Sequence, residues 1–175
     1  MVYSGFQRGD GLWDIEANLT DIKPYAFIIP SQGPREAGHP VHEMNIRLTI
    51  DNDFKIHDVI TDMVHIPHPE CSQSQKGIHQ LIGSTLSAGW RKTIAKFVGG
   101  TAGCTHLNEL LFNMATAAYQ TVPSARQFNA QQAGLPEEVP STPPHHVGKC
   151  MSWAFDGPVT QRYYPMFYRK AEPQS

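Results

Sequence analysis

The stretch Gly103-Cys104-Thr105-His106-Leu107-Asn108-Glu109-Leu110-Leu111 constrains this chain more than any other. It sets a thiol and an imidazole two residues apart, directly before an apolar stripe at Leu107, Leu110, Leu111, Met114 and Ala118. That spacing is the period of a helix with one face in the core. Thr105 is the expected N-cap. Gly99, Gly100 and Gly103 allow a close backbone turn before it. A helix N-terminus favours a thiolate. Cys104 is therefore a nucleophile, a metal ligand or a small buried hydrophobe.

Around this helix the chain reads as α+β. In residues 12–20 Trp13, Ile15, Ala17 and Leu19 alternate with Asp14, Glu16, Asn18 and Thr20, the period of a half-buried strand. Residues 41–50 repeat the pattern, with Met44, Ile46, Leu48 and Ile50 on one face. His42 shares that parity and so lies at the mouth of the buried face. Arg47 points the other way, within reach of Asp14 or Glu16. Asp51-Asn52-Asp53 is a hairpin turn into a third strand over residues 54–62. The expected sheet is a three-stranded antiparallel meander backed by helices. Residues 30–40 read as a loop, and residues 73–82 and 88–98 as short helices stopped by Gly83 and by Gly99-Gly100.

The expected organisation is a core over residues 1–122, a proline-rich excursion over 123–144 and an aromatic tail over 145–175. The core helix then ends near residue 121. Tyr163, Tyr164, Phe167 and Tyr168 are too aromatic for a free tail. They are expected to pack on the core or on a second copy of the chain, which makes a homodimer the expected assembly. His145 and His146 are expected to be exposed, and Cys150 to pack beside Trp153.

Charge and length narrow the function. A net charge of −2 gives no polyelectrolyte signal for nucleic acid or an anionic membrane. No apolar run approaches the roughly 20 residues of a membrane span. The N-terminal residues do not form a signal peptide. Three cysteines, odd and sparse, fit reduced thiols in a cytoplasm. There is no dinucleotide-binding glycine fingerprint and no phosphate loop, so no nucleotide cofactor is expected.

Three loops carry chemistry: one before His42, one holding Cys71 and one holding Cys104 with His106. If they converge at one end of the sheet, His42, Cys71 and Cys104 supply the ligand types of a tetrahedral zinc site. Three ligands and an open place would be catalytic, and four would be structural. His65 and His68 flank Pro67 near Cys71 as further candidate ligands. Around that point His106 or Glu43 is the candidate base. Arg91 is the candidate support for a developing anion, and Tyr25 a further catalytic candidate. The bland alternative keeps Cys71 and Cys104 as core residues and His42 as a satisfied strand end.

Two resemblances add to this reading. Gly11-Leu12-Trp13-Asp14-Ile15-Glu16, Leu19-Thr20-Asp21-Ile22-Lys23-Pro24-Tyr25, Pro40-Val41-His42-Glu43-Met44, Gly89-Trp90-Arg91, Gly103-Cys104-Thr105-His106-Leu107 and Asp156-Gly157-Pro158-Val159 resemble the hallmarks of a bacterial family catalogued as a domain of unknown function. That resemblance implies bacterial catabolism of aromatic small molecules, and with it a lyase of retro-aldol type.

More remotely, residues 38–120 resemble the iron–sulfur cluster scaffold fold. Gly38-His39-Pro40-Val41-His42 precedes a strand as that family's first ligand segment does, and residues 103–109 are similar to its last. On this matching Cys71 and Cys104 keep two cluster ligands. His42 stands in place of the first cysteine, Gly103 in place of a ligand histidine, and Met44 in place of an aspartate. Those departures argue against a cluster, which wants thiolates, and leave a mononuclear zinc or iron ion. The two function readings are thus a small-molecule lyase and a non-enzymatic metal-binding or scaffold-like module.

Overall fold

The computed structural model describes residues 1–136 and 139–170. They form two compact units, Met1–Asn129 and Ala130–Ser175. In the first unit four antiparallel strands lie in the order β1 (Val2–Gln7), β2 (Trp13–Ile22), β5 (Pro40–Ile50) and β6 (Ile56–His65). A small hairpin, β3 (Phe27–Ile29) with β4 (Gly33–Arg35), interrupts the path from β2 to β5. The fold class is thus α+β with an antiparallel sheet, four strands wide rather than three.

The added strand is β1, which pairs along the free edge of β2 from Val2 opposite Asn18 to Gln7 opposite Trp13. All its residues but Tyr3 are exposed, so it carries no burial pattern to read. Gly5 lets the strand run close to α2, because a Cβ there would collide with the Thr121 side chain. Residues 30–40, expected as a loop, contribute β4. Its tight turn is closed by the Gln32 N–H on the Ile29 carbonyl, with Gly33 at φ 83°.

One face of the sheet carries the core. Trp13, Ile15, Ala17 and Leu19 of β2, Met44, Ile46, Leu48 and Ile50 of β5, and Ile56 and Val59 of β6 are all buried. Ile56 and Val59 break strict alternation because the register shifts between Thr49 and Ile50, where a bulge re-aims the strand. Each large aliphatic side chain so buried contributes roughly 1.5–3 kcal/mol. Helix α1 (Trp90–Val98) adds Trp90, Ile94 and Val98 to the same cluster. Two short 3₁₀ segments, Pro69–Gln75 and Ile78–Leu81, stand where a single short helix was expected.

The long helix α2 (Thr105–Gln132) buries Leu107, Leu110, Leu111, Met114, Ala118 and Val122. It does not stop near residue 121 but passes through Pro123 and runs on to Gln132. Proline removes one donor from the ladder. The apolar stripe nonetheless continues through Val122 to Ala125, which packs on the core. Alanine, arginine and glutamine then sustain the helix by propensity. It ends at Gly134 (φ 67°) in a Schellman turn, with the Leu135 N–H on the Ala130 carbonyl and the Gly134 N–H on that of Gln131. Among the described residues no helix is long and apolar enough to cross a membrane.

In the second unit the aromatic residues pack on one another. The Trp153 ring lies 4.5 Å from His146, 5.7 Å from Tyr164 and 6.0 Å from Tyr163. The Arg169 guanidinium covers the Phe155 ring at 4.1 Å. Helix α3 (Pro158–Tyr163) supplies Tyr163. His146, expected to be exposed, is half-buried in this cluster, and Cys150, expected to be packed beside Trp153, is exposed.

Candidate active site

The turn into α2 is built on Gly103. The Val98 carbonyl at the end of α1 accepts from Asn108 Nδ2 at 2.9 Å, and a Cβ on Gly103 would collide with that same oxygen. The chain can double back only where residue 103 has no side chain. Helix α2 then begins one residue earlier in its capping than expected. The Cys104 carbonyl accepts the Asn108 N–H at 2.9 Å, so Cys104, not Thr105, holds the N-cap position. This places Cys104 and His106 on the first turn of α2, at the end of the sheet where β5 begins.

Three loops meet there. His42 from β5, Cys71 from the first 3₁₀ segment, and Cys104 and His106 from α2 line one open cleft of about 790 Å³, with His68 and Lys76 on its wall. The imidazoles of His42 and His106 stack at 4.0 Å between centroids, tilted by 34°. Cys104 Sγ lies 3.8 Å from His106 Nδ1.

Behind His42 stands Asp21, one residue past the strand expected over residues 12–20. The register that pairs Trp13 with Ile50 carries on to pair Asp21 with His42. Asp21 Oδ1 accepts from the His42 backbone N–H at 2.6 Å and from its Nδ1 at 3.1 Å. A carboxylate can only accept, so His42 Nδ1 carries the proton and Nε2 carries the lone pair. Antiparallel pairing extended from the predicted strands would have found Asp21.

The other predicted site residues are elsewhere. Glu43 has the opposite parity on β5 and receives a hydrogen bond from His65 Nδ1 at 2.8 Å. Arg91 is exposed on α1, its guanidinium 4.5 Å over the Phe112 ring. Tyr25 is 60% exposed in the turn before β3. None of the three lines the cleft. Arg47 stands opposite Glu16, on the face expected for it. Its Nε is buried without a hydrogen bond, and Asp14 is taken by Arg8 and by Thr49 Oγ1. Among the described residues no three His, Cys, Asp or Glu side chains stand close enough to hold a metal ion. His42, Cys71 and Cys104 therefore share a cleft without forming a ligand triad.

Burial pushes the His106 pKa below its ordinary value, and the neighbouring charge of a protonated His42 pushes the same way. Asp21 pulls weakly in the other direction. The unfolded chain thus binds a proton at position 106 more readily than the folded one. Above about pH 6.5 both are neutral and His106 contributes nothing. As pH falls below that value His106 costs stability, and the full cost is reached below its folded pKa. Titration of the His106 ring by NMR should show a pKa under 6.5. In His42→Asn it should rise only part of the way back, because burial is the larger cause. An unchanged value would mean that the stacked rings do not share charge.

No curated protein and no solved structure matches the chain. A family profile covers residues 1–120, which contain the whole sheet, α1 and the cleft's His42, Cys71, Cys104 and His106. The chain belongs to the family described as "Protein of unknown function (DUF2889)".

Proposed function

We propose that the domain is a small-molecule enzyme whose cleft performs acid–base chemistry, and that the reaction is a lyase cleavage of retro-aldol type on an aromatic compound. The observation that carries the acid–base reading is the Asp21–His42 pair at the cleft, with His106 stacked on it. Asp21 orients the ring and stabilises the imidazolium that forms, leaving Nε2 as the base. His42 Nε2 takes the proton of a substrate hydroxyl. The adjacent C–C bond breaks, the hydroxyl carbon leaves as a carbonyl product, and the electron pair moves into the substrate's own ring or carbonyl. His42 then returns the proton to the new carbanion. The reaction is redox-neutral, which suits a chain without a nucleotide fingerprint. Developing negative charge would meet the first amides of α2 and Lys76, the roles once expected of Arg91. The choice of lyase within acid–base chemistry rests on the link to aromatic catabolism that the motif resemblance implies.

The test is aldehyde release from a panel of aryl compounds that carry a hydroxymethyl group beside an activated C–H. Stoichiometric aldehyde and its partner fragment, without added nicotinamide or ATP, is the expected result. Silence across the panel would sink the lyase.

A second reading has its own support. The thiols of Cys71 and Cys104 and the imidazoles of His42 and His106 line one cleft, and these are the ligand types of a zinc or iron ion. If they hold such an ion, cobalt(II) substitution gives a thiolate charge-transfer band that Cys104→Ser and Cys71→Ser remove.

A further inference from the structure

A separate pair of histidines stands at the end of β5 and β6. His65 closes β6 directly opposite Glu43 of β5, and its Nδ1 lies 2.8 Å from Glu43 Oε2. The His39 ring meets the His65 ring edge to face, 5.1 Å between centroids and 89° between planes. His39 Nδ1 lies 2.9 Å from the Pro40 carbonyl oxygen. The loop that carries His39 is itself tied down. The Gly38 N–H donates to the Lys23 carbonyl at 2.8 Å and the His39 N–H to that of Glu36 at 3.2 Å.

These contacts fix both tautomers. A carbonyl and a carboxylate accept only, so each Nδ1 is the protonated nitrogen. Each neutral ring is left with its lone pair on Nε2. An imidazole whose far nitrogen donates to a carboxylate or a backbone carbonyl is the usual second-sphere arrangement of a metal-bound histidine. Here two such rings stand side by side with no role in the fold's core and no place in the cleft. Two nitrogens bound to one ion at about 2.0–2.1 Å each lie at most about 4.2 Å apart, within reach of rings at this separation.

We propose that His39 and His65 form a two-histidine site for a borderline divalent transition-metal ion such as zinc, nickel or copper, with Glu43 as the carboxylate that orients His65. Two imidazoles suit these ions rather than calcium or magnesium, which want oxygen. The remaining coordination places are open to water or to an oxygen ligand. Glu43 is thereby removed from the acid–base chemistry expected of it and given a supporting role. The site stands whether or not the cleft is catalytic.

The test uses the untagged full chain and nickel(II) or copper(II). With substoichiometric paramagnetic ion, the ring signals of His39 and His65 should broaden first in NMR spectra of the unaltered protein. His39→Ala and His65→Ala should each weaken binding by more than about 10-fold, and Glu43→Gln by roughly 10-fold, as loss of a second-sphere partner does. His42→Asn and Cys104→Ser should leave this site's affinity unchanged. Broadening centred instead on His42 and His106, or on His145 and His146, would overturn the proposal. So would the absence of any broadening, or affinity that survives both alanine variants.

Discussion

His42→Asn should lose about 10²–10⁴-fold in turnover, the share a positioned base contributes, while its melting temperature stays near that of the unaltered protein. The separation of the two effects comes from geometry. The Asn amide can place an N–H where His42 Nδ1 now donates to Asp21, so the contact at 3.1 Å is retained in kind. The backbone N–H of residue 42 keeps its own bond to Asp21 Oδ1. The lone pair at Nε2 disappears, and with it the ring stacked on His106. Asp21→Asn should cost less than His42→Asn, because the base survives with its tautomer no longer fixed. His106→Asn should act mainly on the pH profile, since His106 stacks on His42 and does not bond to Asp21. Rates and melting curves for the three variants, measured on whichever panel compound releases aldehyde, check the order. A His42→Asn enzyme within a few-fold of the starting rate would remove His42 as the base.

The core was legible from residue spacing alone. Period-two alternation located β2 and β5, and the stripe from Leu107 to Ala118 located α2, because burial on one face leaves a pattern in the chain. Edge elements leave none. Strand β1 is held by backbone pairing and by close approach to α2, neither of which demands a hydrophobic period. The run of α2 past Pro123 was misread for a related reason. A local breaker was weighed without the burial of Val122 that carries the helix across it.

In the cleft, sequence reasoning named His42, Cys71, Cys104 and His106, which the fold brings together. It also named Glu43, Arg91 and Tyr25, which the fold keeps apart from them. Glu43 was excluded by its own parity on β5, opposite to that of His42. Arg91 sits beside Trp90, the buried member of that pair, and so faces outward. Asp21 stands in the Leu19-to-Tyr25 motif, but its role was missed because it depends on register with His42 on the neighbouring strand, and the motif itself does not show that pairing.

Gly103→Ala should destabilise the fold by about 3 kcal/mol or more, an effect of the overpacking kind, and lower the melting temperature by roughly 6–12 °C. Backbone strain is not the reason. Gly103 has φ −141° and ψ −167°, extended values that alanine adopts freely. The obstacle is the Val98 carbonyl oxygen, which lies where the new Cβ would be, with Val98 Cα 3.2 Å away. That carbonyl cannot swing aside cheaply, because Asn108 Nδ2 holds it at 2.9 Å and Val98 itself is buried. Relief therefore requires the end of α1 and the start of α2 to separate. Cys104 and His106 ride on that start, so the cleft should open along with the loss of stability. The His106 pKa should then rise as its ring becomes wetter. Gly9→Ala is the matched control, since a Cβ there meets nothing within 4 Å. Thermal melts of both variants, with the His106 titration on the folded fraction, test the argument. If Gly103→Ala melted like Gly9→Ala, the tight turn between α1 and α2 would not be what holds the cleft together.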